Sequence, residues 1–375
     1  MGVVVMWENN NMAIAHLQQY WEENLKPLFC EDHLSAVQTV RSGENLRYVN
    51  LDNAATTKPF KKVLETVVNS FQEYGSVHRS AGSHSKVSTE RYEQARETIR
   101  LRVNAPDDAY VIFTKNTTDA ISMAAHCFAQ QSGAVLVSDI EHSANLAPWI
   151  SAGNKVVQYR MTESRMGRAD DVVNEVSQSF DKQKKKGGIK LLAVTGSSNV
   201  TGFKPPLSAL ATIAHKNGAM ILVDACQLVQ HERVLMVEER EQEPVDLDFI
   251  AFSGHKLYAP FGAGALVGPK DFFDSVKPYQ VGGGSMAYIT KDLNIVRRHT
   301  VHDHESGTPN FVGAVAMAEA MTILYTVIGM DKVRAYEHAL GERLFAGMQS
   351  IPDIRLFVRD GKRSVFPFDV EGVSA

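Results

Sequence analysis

Short apolar runs alternate with stretches of helical spacing through the middle of the chain. Seven runs have the length of strands and lie at Tyr110–Thr114, Ala134–Asp139, Lys155–Arg160, Lys190–Ser198, Met220–Ala225, Phe249–Ser253 and Ala265–Gly268. Between them, apolar residues recur three and four positions apart, for example at Tyr92–Val103, Asp170–Lys182 and Leu207–Asn217. Apolar strands that alternate with helices predict an α/β fold with a mostly parallel, seven-stranded sheet.

The residues before this alternation have another pattern. Large apolar side chains recur there at helical spacing, at Leu17, Trp21, Leu25 and Leu28. This spacing predicts a helical N-terminal arm over residues 1–45. The strand and helix alternation begins near Tyr48, so a large domain is assigned to residues 46–295.

Beyond about residue 295 the pattern becomes mainly helical. Two amphipathic helices are predicted at Val312–Tyr325 and Met330–Met348, and strand-like pieces follow at Ile354–Val358 and Ser364–Val370. Residues 296–375 are therefore interpreted as the start of a smaller α+β domain that is cut short at the end of this sequence.

Composition limits the possible partners. The chain has 39 Lys and Arg against 43 Asp and Glu, a formal net charge of -4, whereas nucleic-acid binders usually carry a basic excess. No segment reaches the roughly 18 uninterrupted apolar residues of a membrane helix, and the N-terminus lacks a signal-peptide pattern. The three cysteines are too few and too widely spaced for a disulfide framework or a paired zinc site. We expect a cytoplasmic protein that binds neither nucleic acid nor membrane.

Two predicted strands end in residues that carry chemistry. Asp224 follows the buried run Met220–Val223, and a carboxylate in that position needs a partner, for which a pyridinium nitrogen is well suited. Lys256 ends the next strand along the chain, and neighbouring parallel strands place their carboxyl ends at one crevice. A lysine there can form a Schiff base, although a lone lysine is more often a surface charge. Together these residues predict a pyridoxal 5′-phosphate (PLP) site.

Other strand ends add weaker signals. Thr117 and Thr118 open a predicted helix, where exposed N–H groups favour a phosphate, although taken alone this signal more often marks a simple N-cap. His142 follows another strand and either stacks on an aromatic ring or is a surface histidine. Ser253 and His255 could also hold a phosphate.

Two apparent motifs are set aside. The glycines of 262–268 resemble a dinucleotide fingerprint but precede a strand instead of following one. The run from His302 to Glu305 resembles a metal cluster, but its two histidines are only two positions apart and no further ligand is evident. No metal site is predicted.

In combination, these segments resemble one known group of enzymes. The chain is similar to the fold-type I, class V aminotransferase-like PLP enzymes, and within them to the cysteine desulfurases and selenocysteine lyases. The matching segments lie in family order at 51–55, 76–79, 116–118, 141–145, 198–202, 224–227, 253–256 and 305–310. The resemblance implies the fold-type I PLP-dependent transferase fold.

The resemblance also implies residue roles. Lys256 would carry the cofactor and move protons, with His142 stacked on the cofactor ring. Asp224 would pair with the pyridinium nitrogen, and Gln227 would face the phenolic oxygen. The remaining residues would contact phosphate or substrate: Thr117, Thr118, Asn199, Ser253, His255 and Thr308. Thr308 would reach the phosphate of a neighbouring subunit, which implies a homodimer.

The sequence departs from the desulfurases in one respect. In that group a cysteine on a C-terminal loop attacks the substrate sulfur, and a nearby arginine binds the substrate carboxylate; neither element follows residue 370 here. The expected function is cysteine desulfurase-like C–S cleavage of cysteine or an analogue, with a sulfur acceptor protein as a further partner. Another class V reaction (lyase, epimerase or aminotransferase) and a non-catalytic subunit remain the alternatives. Cys226 is expected to be a packed small residue.

Overall fold

The computed structural model describes residues 18–30, 36–38, 43, 45–47, 50–162, 168–238, 245–358 and 365–373. Two short strands come first, β1 (Ala36–Gln38) and β2 (Asn45–Arg47). The next five are β3 (Tyr110–Thr114), β4 (Ala134–Ser138), β5 (Lys155–Tyr159), β6 (Ile189–Thr195) and β7 (Met220–Asp224). After the two-residue strands β8 (Val237–Glu238) and β9 (Val245–Asp246) come β10 (Phe249–Ser253) and β11 (Gly264–Gly268). The last are β12 (Tyr288–Ile289), β13 (Ile295–Val296), β14 (Ile354–Leu356) and β15 (Phe368–Val370).

Seven of these strands form the central sheet, in the order β3-β11-β10-β7-β6-β4-β5. All neighbours are parallel except at β11, which runs antiparallel to both β3 and β10. The predicted mostly parallel, seven-stranded sheet is confirmed, and each predicted strand matches an observed one within a few residues. Because only β11 is reversed, its first residue meets the carboxyl ends of the other six strands at one edge of the sheet.

Nine α-helices of five residues or more lie in the described part of the chain. They are α1 (Lys61–Ser70), α2 (Ser83–Arg102), α3 (Thr117–Phe128), α4 (Ala147–Ser151), α5 (Ala169–Lys184), α6 (Leu207–Lys216), α7 (Lys270–Ser275), α8 (Phe311–Thr322) and α9 (Met330–Gln349). A wider π-helical segment, Ile323–Ile328, continues α8. Short helical turns occur at Phe71–Glu73, Ser143–Asn145, Gly254–Lys256 and Val301–His304.

Helices cover both faces of the sheet. On one face α3, α4 and α7 pack through side chains such as Phe128 and Trp149. On the other face α1, α2, α5, α6 and α8 pack through side chains such as Leu210 and Met317. Because both faces are covered, nearly all residues of the central strands are buried, which explains their near-continuous apolar sequence.

The N-terminal segment differs from the helical arm predicted for residues 1–45. Helical turns are present at Trp21–Leu25 and Lys26–Leu28, while Leu17 lies outside the described residues. Farther along, β1 pairs antiparallel with β2. The helical spacing of a few large residues therefore predicted the first half of this segment, whereas the second half contains strands.

The C-terminal helices also differ in part from expectation. Helix α8 was predicted to be amphipathic, but buried residues occupy all of its sides, because α1 and α2 pack against it. The helix from Phe311 to Ile328 is long and apolar enough to span a membrane, yet 67% of it is buried inside the chain, as in the core of a globular fold. Helix α9 carries the more exposed surface, and β14 pairs antiparallel with β15. Ser364 lies outside the described residues.

Candidate functional site

A cavity of about 350 Å³ lies at the carboxyl edge of the sheet. Its walls come from the residues that follow β3, β4, β6, β7 and β10, and from the residues just before β11. The lining residues are Lys115, Asn116, Thr117, Thr118, His142, Ala144, Thr195, Ser197, Asn199, Asp224, Cys226, Gln227, Ser253, His255, Gly262 and Ala263. The cavity therefore lies where ligands bind in parallel α/β sheets.

The structure brings together eight of the ten predicted site residues in this lining. They are Thr117, Thr118, His142, Asn199, Asp224, Gln227, Ser253 and His255. Among the described residues, Lys256 and Thr308 are the predicted ones outside the lining. Lys256 directly follows the lining residue His255, whereas Thr308 is exposed on a separate loop.

Asp224 is a buried carboxylate that lines the cavity. It is 5% exposed and accepts a hydrogen bond of 3.0 Å from the backbone N–H of Cys226. Burial raises the pKa of the Asp224 carboxyl, while Cys226, His142 and Lys256 act in the opposite direction. A buried carboxylate of this kind is stabilised by a cation placed beside it.

Lys256 ends the short helical turn Gly254–Lys256 that follows β10. Its side chain is half-buried, and its positive charge acts on the Asp224 carboxylate and on the Cys226 thiol. Burial and then the charge of Lys256 lower the pKa of the neighbouring His255 imidazole. The strand order of the sheet explains this proximity, because β7 and β10 are direct neighbours.

Hydroxyl groups meet at the N-terminus of α3. The Thr117 N–H donates to Ser253 Oγ at 2.7 Å, and the two hydroxyl oxygens are 2.6 Å apart. Asn116 caps the helix by accepting from the Asp119 N–H at 2.9 Å. The first N–H groups of a helix, together with exposed hydroxyls such as that of Thr118, form a donor set that suits a phosphate.

His142 lies on the cavity wall at the start of the turn Ser143–Asn145. Its Nδ1 accepts a hydrogen bond of 3.1 Å from the Ala144 N–H, so the ring proton of the neutral imidazole lies on Nε2. This hydrogen bond to the backbone two residues later fixes both the orientation of the ring and the position of its proton.

A polar network behind His142 was not predicted. The Glu141 carboxylate accepts from Ser138 Oγ at 2.6 Å and from Asn145 Nδ2 at 2.8 Å, and Asn145 Oδ1 accepts from the buried Trp149 ring at 3.1 Å. Burial raises the pKa of Glu141 to about 7, and the hydrogen bonds offset part of this effect. The spacing of Glu141, Asn145 and Trp149, four residues apart in sequence, was the signal that could have revealed the network.

The segment around Ala54 is fastened to the same edge. Gln227 Nε2 donates to the Ala54 carbonyl at 2.8 Å, and the Thr57 N–H donates to the His255 carbonyl at 2.9 Å. Thr56 Oγ1 donates to that carbonyl at 3.1 Å. These bonds join the first matching segment of the sequence to the ends of β7 and β10.

Thr308 belongs to a loop that charged side chains hold in place. Arg79 donates to the carbonyls of Gly283 and Gly307 at 2.8 and 2.6 Å. Arg96 forms a two-bond pair with the Glu305 carboxylate, both bonds at 2.8 Å. Thr308 itself is exposed, and its predicted contact with a neighbouring subunit stays a prediction.

The three cysteines have different environments. Cys127 is buried inside α3, and burial raises the pKa of its thiol to about 12. Cys30 lies in the N-terminal segment, outside the cavity lining. Cys226 was expected to be packed away, but it lines the cavity beside Thr117 and Ser253. Burial raises the pKa of the Cys226 thiol, and Asp224 reinforces this effect.

The comparison with known families agrees with this geometry. The family model "Aminotransferase class-V" matches residues 49–375. The chain belongs to the aminotransferase class-V family. The resemblance inferred from the sequence segments is thereby confirmed.

Several similar proteins of this family carry the same name. The chain is 31% identical over 347 residues to a probable cysteine desulfurase of Vibrio cholerae, which covers 90% of this chain and 81% of that protein. It is 32% identical over 339 residues to the cysteine desulfurase CsdA of Escherichia coli K12, which covers 87% of this chain and 79% of CsdA.

Solved structures of cysteine desulfurases confirm the fold. The crystal structure of CsdA from Escherichia coli superposes with a TM-score of 0.72 at 31% identity, over 86% of this chain and 78% of that one. The apo cysteine desulfurase of Thermococcus onnurineus NA1 gives a TM-score of 0.73 at 27% identity, over the same shares of the two chains.

Proposed function

We propose that this class V protein is a PLP-dependent enzyme that cleaves the C–S bond of cysteine or a close analogue. The observation that carries the proposal is the buried Asp224 carboxylate, which faces the cavity with Lys256 beside it. The names of the similar proteins reported above, which are cysteine desulfurases or probable cysteine desulfurases, support the choice of substrate.

The side chains around the cavity fit PLP. The buried carboxylate of Asp224, with its raised pKa, suits a protonated pyridine nitrogen. The Thr117 and Ser253 hydroxyls at the N-terminus of α3, with Thr118 and His255, form an anion-binding donor set. The amine of Lys256 would form the covalent attachment.

When bound, PLP supplies an electron sink that stabilises negative charge on the substrate's carbon atoms. Asp224 keeps the pyridine nitrogen protonated through its buried negative charge. His142, with its proton fixed on Nε2, offers a flat face to the cofactor ring and a donor to the cavity. The Lys256 amine takes and returns the substrate's Cα proton. Gln227 and Asn199 provide amide groups toward the cofactor and substrate.

Sulfur leaves the substrate by transfer to a thiol. The substrate C–S bond breaks, an S–S bond forms on the acceptor thiol to give a persulfide, and the former sulfur-bearing carbon gains a proton to give alanine. Of the three cysteines of the chain, only Cys226 lines the cavity. Because its thiol has a raised pKa, it is a poor thiolate nucleophile. We therefore place the acceptor thiol outside residues 1–375.

The test is sulfide and alanine formation from cysteine. We expect residues 1–375 with PLP to release little sulfide under reducing conditions, and a protein that presents an accessible thiolate to increase the rate. The Cys226→Ala variant is the control and should behave as the parent chain. Robust sulfide release that disappears in Cys226→Ala would show instead that Cys226 is the nucleophile.

A second candidate is another class V reaction on an amino acid, such as elimination, epimerisation or transamination. It is favoured by the absence of a second cysteine from the cavity lining in the described part of the chain. The products discriminate between the two. Alanine with persulfide sulfur supports the desulfurase reaction, whereas pyruvate with ammonia, a racemised substrate or a keto acid supports the alternative.

We further propose a cytoplasmic homodimer in which Thr308 contacts the partner's cofactor. The support is the exposed position of Thr308 on a loop fixed by Arg79, Arg96 and Glu305. Native mass measurement should give twice the mass of the chain. A monomer that retains PLP fully would contradict this arrangement.

A further inference from the structure

His302 belongs to the run 302–305, which the sequence analysis set aside as a metal site, but it lies close to two other possible metal ligands. His302 lies on the turn Val301–His304, beside His78 from the loop before α2 and Glu93 from within α2. One ligand atom from each residue lies within 4.8 Å of the other two. His78 Nε2 and Glu93 Oε1 are 3.0 Å apart, and the two imidazole centres are 4.4 Å apart.

The other residues of the run are engaged elsewhere. Asp303 accepts from Arg297 and from the His299 N–H, and His304 approaches the Phe273 carbonyl at 3.2 Å. Glu305 binds Arg96. The run itself is therefore not a ligand set, and only His302 turns toward the cluster.

We propose that His78, Glu93 and His302 form a binding site for a divalent transition-metal ion, with Zn²⁺ as the best-suited ion. Two imidazoles and one carboxylate are a known zinc ligand set, which leaves the fourth position for water. At Zn–ligand distances of about 2.1 Å, tetrahedral donor atoms are about 3.4 Å apart, so these atoms would have to approach by at most about 1.4 Å.

Carboxylates outnumber guanidinium groups beside the cluster. Arg96 donates to the Glu93 carboxylate at 2.9 Å and to the Glu305 carboxylate at 2.8 Å, so one guanidinium is shared by two carboxylates. The positive charge of Arg96 is itself balanced by Glu305.

The cluster is open to solvent, and the backbone of His78 already holds its ring in place. The side chains of His78 and Glu93 are 28% and 39% exposed, so an ion can enter from solvent. His78 has a φ of 59°, a left-handed conformation that histidine adopts more readily than most residues. This conformation places the His78 ring against His302 and the edge of Tyr92.

A bound ion would join three separate parts of the chain. It would tie the turn Val301–His304 to α2 and to the loop that carries Arg79. The loop of Thr308 follows that turn directly, so metal binding would stiffen the segment that we assign to the subunit interface. The metal proposal itself does not depend on the proposed reaction, because no ligand lines the cavity.

The test is zinc binding by the full chain with PLP present. Equilibrium dialysis followed by elemental analysis should give one Zn²⁺ per chain, retained against an excess of Mg²⁺, because imidazoles favour zinc over magnesium. His302→Gln and His78→Asn should each weaken binding by about 100-fold or more, since even the loss of a group that only orients a ligand costs about 10–100-fold. Asparagine is chosen at position 78 because it tolerates the left-handed backbone.

His338→Gln is the matched control. His338 forms an exposed i,i+4 pair with Glu342, and no third ligand joins it among the described residues. This variant should bind zinc as the parent does. No zinc uptake by the parent, displacement by Mg²⁺, or equal uptake by all variants would overturn the proposal. Because His78 is exposed, loss of binding in His78→Asn at an unchanged urea midpoint separates ligation from misfolding.

Discussion

The carboxyl edge of the sheet and the loop of residues 301–308 are held in place by different interactions. At the edge, Asp224 and Ser253 end strands whose side chains are buried along their length. In the loop, position depends on charged pairs, above all Arg96 with Glu305 and Arg297 with Asp303. The apolar core therefore fixes the chemical groups of the cavity, whereas ionic contacts fix the segment that we assign to the interface.

This difference predicts that the two regions fail in different ways. A change at the edge should remove chemistry and leave the fold intact. A change in the loop of residues 301–308 should lower the free energy of unfolding and leave the hydrogen-bond donors of the cavity in position.

The largest expected effect is on turnover, in Asp224→Asn. The amide cannot stabilise a protonated pyridine nitrogen, and loss of one preorganised group typically costs about 10²–10³-fold in rate. The measurement is steady-state turnover of cysteine with saturating PLP and with a protein that presents an accessible thiolate, which raises the parent rate. The control is Asp139→Asn, because Asp139 also follows a strand at this edge but is exposed and outside the cavity lining. Similar rates for both variants would refute the role of Asp224.

Next in size is the loss of stability in Glu305→Gln. The Arg96 and Glu305 side chains are 11% and 7% exposed, and removing one partner of a buried pair costs about 3–5 kcal/mol. Urea unfolding measures the free energy. The exposed pair between Arg91 and Glu73 offers the control, because Glu73→Gln should cost about 1 kcal/mol or less. Equal losses would mean that burial does not distinguish the two pairs.

The smallest effect is the pH dependence due to Glu141. Its pKa is raised to about 7 in the folded chain, so the folded state holds this proton over a range in which the unfolded chain has lost it. Its contribution to stability is complete below about pH 4.5 and is lost as pH rises to about 7. In Glu141→Gln that decline should be smaller by about 3 kcal/mol, as measured by urea unfolding from pH 4.5 to 8. Identical pH profiles would contradict the assignment.

The site at the edge was largely predictable because parallel strands impose a simple rule. Asp224 and Ser253 each follow a recognisable apolar run, and the carboxyl ends of such runs meet. The sequence could not show that Cys226 lines the cavity, because one small residue after a strand end carries no pattern of its own.

Features that depend on long-range packing were not predictable. Glu305 was considered together with its sequence neighbours, yet its partner Arg96 lies on α2, more than two hundred positions away. The cluster of His78, Glu93 and His302 is hidden for the same reason. The pairing of β1 with β2 and the burial of α8 on all sides likewise depend on tertiary contacts that outweigh local periodicity.

The covalent attachment of PLP to Lys256 is the central claim, and it can be measured directly. The purified chain with PLP is reduced with borohydride, digested, and mapped by mass spectrometry. We predict a yellow protein before reduction and a single modified lysine at Lys256. Lys115, which lines the cavity itself, is the internal control and should be unmodified. A colourless protein that takes up no PLP, or modification at Lys115 instead, would contradict this account.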